Sequence, residues 1–305
     1  MANEGRGRVG LVVGLLVGLS GCAAPASRFP NGQAALDRMK AIYDCSHGVK
    51  AEARLDHRSK AGRIRGNLSF YAVDPARVRF SVFSPFGAEL ATLASDGQRF
   101  SFVDTFQKRF IEGPASTCNI AHMTQVPIPG HALVSLLQGR APLLVHDPAQ
   151  VSISWNGPTL GLFGRGHYEI EIPSKNDAKQ TIHLEVNPAD VDRPWAEQRL
   201  RVTEVRVEQK SVELYRAQLD QFRTAKAGQP IVDEDGIDPP IPPIGPACPL
   251  EVPGRIQVDI AARTDDVLFE YKDIEVNPAV PEGVFVQMQP AGTQRLPVGE
   301  CDRGW

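Results

Sequence analysis

The chain has 305 residues, 42% of them hydrophobic and 23% charged, with a formal net charge of −3. Such a chain can bury one sizeable core, and nothing in its charge balance suggests a nucleic-acid partner. A transmembrane β-barrel is disfavoured by the charged fraction and by an aromatic content of only 7%, with terminal Trp305 the one feature that points to it.

In chain order, Arg6 and Arg8 precede the apolar run Val9 to Leu19. The run has the make-up of a secretory signal and falls short of the roughly 20 residues that span a bilayer. Leu19-Ser20-Gly21-Cys22 follows, with small residues directly before a cysteine. It resembles the site at which bacterial lipoproteins are cut and acylated, and the plain alternative is an ordinary cleaved signal with Cys22 a coincidence. The reading makes residues 1–21 a signal peptide, Cys22 the diacylglycerated N-terminus and 22–31 a tether of small residues and proline. Two or more acyl chains anchor a protein stably. Ala23 stands where the lipoproteins retained at the inner membrane carry Asp, so the expected location is the periplasmic face of the outer membrane.

Residues 32–305 read as one domain. Gln33–Tyr43 has Leu36, Met39, Ile42 and Tyr43 at helical spacing, and Gly130–Gly139 carries Leu133, Val134, Leu136 and Leu137 behind Pro127 and Pro129. Between and after them the period is two. Leu68-Phe70-Ala72, Val78-Phe80-Val82 and Phe100-Phe102 alternate with polar residues, as do segments beginning at Val151, Tyr168, Ile182, Leu200, Val212, Ile256 and Val267. Turn signals at Asp74-Pro75, Ser84-Pro85-Phe86-Gly87, Ser95-Asp96-Gly97 and Glu112-Gly113-Pro114 connect strands as in a meander. Residues 225–254 are rich in Pro and acid and read as an extended, solvated loop. The expected fold is mainly β: a strongly curved antiparallel half-barrel with two short helices plugging its concave face.

Four cysteines lie beyond Cys22 and allow three pairings in an oxidising compartment. Cys45 with Cys118 and Cys248 with Cys301 is the preferred set, because each pair stays within one half of the chain. No CxxC or His-x-x-x-His spacing supports a metal, and no cofactor motif is present. The seven histidines are scattered, with no nucleophile elbow or phosphate loop beside them, so no enzyme is expected. Arg54, His57, Arg58, Lys60, Arg63 and Arg65 cluster at a hairpin turn near Ala61-Gly62 and could face anionic headgroups, a carrier's acidic rim or only solvent.

Two segments carry a family resemblance: Pro75 to Asp104, and Val126-Pro127-Ile128-Pro129 with Leu133, Leu136-Leu137, Gly139 and Pro142. They resemble the outer-membrane lipoprotein receptor LolB family, and Val280-Pro281-Glu282-Gly283-Val284-Phe285 through Pro290 is similar to the ending of LolA-type carriers. The resemblance implies a half-open curved sheet with an acyl-chain cavity, and it places Phe86 at an exposed loop tip that enters the membrane. The alternative for Phe86 is a turn phenylalanine folded back on the sheet. The cavity set is Phe70, Phe80, Val82, Leu90, Phe100, Phe102, Tyr168, Ile170, Leu184 and Val205, with Leu133, Leu136 and Leu137 as the plug; the same residues could equally fill a core. The expected function is non-enzymatic: binding acyl chains of lipids or lipoproteins, with membrane lipid and a periplasmic LolA-like carrier as partners, in a monomer. The competing expectation is a structural or scaffolding envelope module.

Overall fold

The computed structural model describes residues 25–60, 62–84, 86–124, 128–157, 166–261 and 265–298. The signal segment, Cys22, Pro85, Val126, Pro127, Cys301 and Trp305 lie outside the described residues.

Helix α1 (Gly32–Tyr43) starts where Asn31 accepts the Ala34 N–H at 2.8 Å, satisfying one of the donors that a helix leaves open at its start. It buries Ala35, Leu36, Met39 and Tyr43. A meander follows: β1 (Gly48–Ser59), β2 (Gly62–Val73), β3 (Arg77–Phe83), β4 (Glu89–Ser95), β5 (Arg99–Asp104) and β6 (Arg109–Pro114). Two helices, α2 (Thr117–Thr124) and α3 (Gly130–Leu137), lead to β7 (Ser152–Asn156), β8 (His167–Pro173), β9 (Ala178–Val186), β10 (Leu200–Gln209) and β11 (Val212–Asp220). Short pieces β12 (Arg223–Thr224), β13 (Lys226–Ala227) and β14 (Glu251–Val252) precede β15 (Arg255–Ile260), β16 (Asp265–Val276) and β17 (Gln294–Leu296). Helix α2 is additional to the two that the sequence pattern predicts.

The main sheet runs β17-β6-β5-β4-β3-β2-β1-β16-β15-β11-β10-β9-β8-β7 and is antiparallel except where β17 meets β6 and β13 meets β16. It does not close on itself: β17 and β7 are its ends. The pairing of β1 with β16, Val49 opposite Val276, joins the N-terminal meander to the C-terminal strands. Helices α1 and α3 lie on one face, α3 against β2 and β3, α1 against β7 and β10. The Ser46 hydroxyl links the two helical regions by donating to Gln138 Oε1 at 3.0 Å. One hydrophobic cluster therefore runs from Phe70, Phe80 and Phe100 through Leu36, Leu133 and Leu136 to Ile170, Leu184 and Val205. The mainly β, antiparallel, open architecture agrees with the sequence reading.

The outer face of β3–β5 has its own cover. The C-terminal segment lays buried Phe285 there, and Gln287 Nε2 donates to the carbonyls of Thr92 and Ser101 at 3.1 and 3.0 Å. The Arg77 guanidinium stands 5.3 Å over the Phe285 ring.

Three expectations are corrected. The disulfide is Cys45–Cys248, across a sequence separation of 203, in place of the Cys45–Cys118 and Cys248–Cys301 set. Packing of the loop before β14 against the end of α1 brings these cysteines together, which nearness in sequence could not reveal. Closing so long a loop restricts the unfolded chain by about 5 kcal/mol on the chain-entropy account. Cys118 is also disulfide-bonded.

The 225–254 loop is not wholly solvated. It carries β13 and β14, bridges Ile231 to Ile241 and Pro243 to Ala279, and buries Cys248, Leu250 and Val252; its acidic middle is exposed. The tether is docked from Pro25 onward. Phe29 is buried with its ring 5.2 Å from Tyr168, Ser27 Oγ accepts the Trp195 N–H at 3.0 Å, and Ala26 N–H donates to Val191 O at 3.3 Å.

Candidate lipid-handling site

The residues of α3 are apolar almost throughout, and Ala132, Leu133, Val134, Leu136 and Leu137 are all buried. A surface helix normally keeps one polar face. This one is a plug. It ends at Gly139, whose φ of +81° and whose Cβ position, 2.6 Å from Pro253 Cδ, leave room only for glycine.

Polar contacts hold the C-terminal end of α3. Gln138 Nε2 donates to Asp74 Oδ1 at 3.0 Å, and Arg140 forms an ion pair with the same carboxylate. The Tyr271 hydroxyl donates to the Leu137 carbonyl at 3.0 Å, and burial pushes its pKa up, so the phenol keeps its proton. Grooves flank the helix. A groove of about 530 Å³ runs between α3 and α1, past Met39, Tyr43, Asp74, Ser135 and Arg140. A second, of about 370 Å³, lies between α3 and α2, past Val78, Ile120 and Gly130. His131 lines both.

Of the predicted cavity set, Phe70, Phe80, Phe100, Tyr168, Ile170, Leu184 and Val205 are buried together with the plug residues Leu133, Leu136 and Leu137. Val82 and Phe102 are partly buried at the margin of the same cluster. The set is thus brought together, and its side chains pack on one another. Leu90 is a correction: it is exposed. The β3–β4 register passes from Val82 opposite Ala91 to Phe83 opposite Glu89, leaving Leu90 as the extra residue of a bulge and turning it out of the core.

Phe86 is 97% exposed, so the folded-back alternative does not hold. Sequence reading missed its neighbour. Phe106, 86% exposed, caps the β5–β6 turn, and the strand order sets that turn beside the β3–β4 turn on the same sheet edge. An aromatic at a second tip, followed by Lys108 and Arg109, was the available signal.

The basic cluster divides. Asp56 accepts from Arg63 Nε at 2.6 Å and from Arg65 Nε at 3.1 Å, and the Arg63 hydrogen bond, reinforced by Arg65, holds its carboxyl down to about 2. Arg54 faces Glu270 at 3.6 Å, and His57 points inward and is buried. Arg58 and Lys60 remain exposed at the β1–β2 tip, on the edge that carries the two phenylalanines. One further cluster, His167, Glu169 and His183, escaped a search by spacing because its members sit on two strands.

No protein-family model matches the chain, and neither does any curated protein. Among solved structures, a DUF1329 family protein from Desulfovibrio piger aligns over 83% of this chain and 95% of its own, with a TM-score of 0.52 at 9% identity, and shares the fold. A LolA superfamily protein from Nitrosomonas europaea covers 85% of this chain and 99% of its own, with a TM-score of 0.45 at 10% identity. A putative outer membrane lipoprotein-sorting protein domain from Vibrio parahaemolyticus covers 82% and 95%, with a TM-score of 0.43 at 8% identity.

Proposed function

We propose that this chain is a lipid-anchored envelope protein that accepts acyl chains of lipids or lipoproteins on the concave face of its sheet, in the place where α3 otherwise sits, and helps to insert or sort them in the outer membrane. Cys22 is its acylated anchor. The observation that carries this reading is the plug: a short, almost wholly apolar helix, held by polar contacts at one end and flanked by a groove on each side.

The energetics permit exchange. Burial of Leu133, Val134, Leu136 and Leu137 is worth about 6–12 kcal/mol, and burial of a sixteen-carbon chain about 12 kcal/mol at roughly 0.8 kcal/mol per methylene. The two figures are of the same order, so at the upper end of the helix range a chain could displace the helix and later leave without an energy source. The packed core supports a second reading, a non-catalytic scaffold whose α3 never moves.

Titration with a fluorescent fatty acid separates the two. Wild type is expected to bind, and Leu136→Arg to lose binding at least tenfold, since a cation under the sheet cannot share the site with an acyl chain. Absence of binding by the wild type would favour the scaffold, and unchanged binding by Leu136→Arg would remove α3 from the site.

A further inference from the structure

We propose that His167, Glu169 and His183 form a site for a divalent transition-metal ion of the zinc class on the outer face of the β8–β9 ladder. His167 and Glu169 are two residues apart on β8 and therefore share a face, while Tyr168 and Ile170 between and beyond them enter the core. Glu169 stands directly opposite His183 on β9. The nitrogen and oxygen ligand atoms of all three lie within 4.8 Å of one another.

The spacing fits a tetrahedral ion. Ligand bonds of about 2.1 Å set ligand atoms roughly 3.4 Å apart in that geometry, and His183 Nε2 is 3.4 Å from Glu169 Oε2. The His167 ring lies beside that of His183, centroid to centroid 4.3 Å. Two imidazoles and one carboxylate favour zinc and its neighbours over calcium or magnesium, which prefer oxygen ligands throughout. Asn156 Nδ2 donates to Glu169 Oε2 at 3.2 Å, the kind of outer contact that orients a metal-binding carboxylate. All three side chains are half-buried, so the approach from solvent is open. A simple ion pair between His183 and Glu169 would not explain a second imidazole stacked beside the first.

The test is a titration of the untagged, full-length chain with Co²⁺, read by its visible d–d absorption, and with Zn²⁺, read by calorimetry. One ion per chain is expected, lost together with either histidine: His167→Gln and His183→Gln should each weaken binding at least tenfold, and Glu169→Gln should act in the same direction. Zn²⁺ should raise the melting temperature of the wild type and leave the three variants where they melt without metal. A wild type that takes up no ion, or variants that bind as the wild type does, would overturn the proposal.

Discussion

Joining Ala76→Cys to Gly130→Cys by a disulfide is expected to suppress acyl-chain binding by at least a hundredfold while leaving the fold intact. A Cβ built on Gly130 lies 3.7 Å from the Cβ of Ala76, inside the span of about 3.5–4.5 Å that a disulfide bridges without moving the backbone. The bond would pin the start of α3 to the turn between β2 and β3. The other end is already fixed by Asp74, through Gln138 and Arg140, and by Tyr271. With both ends held the plug cannot leave, and an incoming chain would have to compete with a filled core whose packing has no room for it. Mild reduction should restore binding. The wild type under the same reductant controls for opening of Cys45–Cys248, and each single cysteine variant should bind as the wild type does. An oxidised double variant that binds normally would show that the chain does not enter beneath α3.

The second large effect is expected at the sheet edge. Replacing both Phe86 and Phe106 by Glu should reduce association with vesicles containing anionic lipid by more than a hundredfold, measured with Cys22→Ser protein so that no anchor contributes. Each ring entering a bilayer interface is worth about 1.5–3 kcal/mol, so the pair contributes about 3 kcal/mol or more, and about 1.4 kcal/mol is a factor of ten. The melting temperature should stay put, because the two rings are 97% and 86% exposed and support no core. A double variant that still associates with vesicles as before would remove this edge from membrane contact; a collapse in melting would make the rings packing residues.

The topology gives these tips a particular relation to the anchor. Both turns follow strands that run in the same sense as β10, whereas the docked segment at Ala26 meets Val191, in the connection that precedes β10. Tips and tether therefore occupy opposite edges of the sheet. On the proposed function, residence at the membrane through Cys22 would be separable from delivery through the Phe86 and Phe106 tips. Phe86→Glu/Phe106→Glu in the acylated chain should accordingly stay with the membrane fraction and lose transfer.

What could be read from the sequence follows from the range of each physical signal. Alternation of apolar and polar residues is local, and it placed Phe70, Phe80, Ile170 and Leu184 on the buried face correctly. Helical spacing likewise marked α1 and α3. Leu90 failed because one bulge residue reverses the alternation, and nothing in Glu89-Leu90-Ala91 announces it. The cysteine pairing failed because it is set by where a loop folds back 203 residues later. His167, Glu169 and His183 were invisible to a search for closely spaced ligands, since the register of β8 on β9 alone unites them. Packing of Pro25 to Phe29 was hidden by a composition that reads as a tether, although Phe29 is the one large apolar side chain in it.

The most direct test of the central claim is native mass spectrometry of the Cys22→Ser protein released gently from the periplasm. An additional mass equal to a fatty acid, phospholipid or lipopeptide, lost on delipidation and regained on adding the same lipid, is the predicted result. A bare protein mass that remains unchanged after exposure to fatty acid and lipopeptide would contradict the account and leave α3 as a fixed part of a structural module.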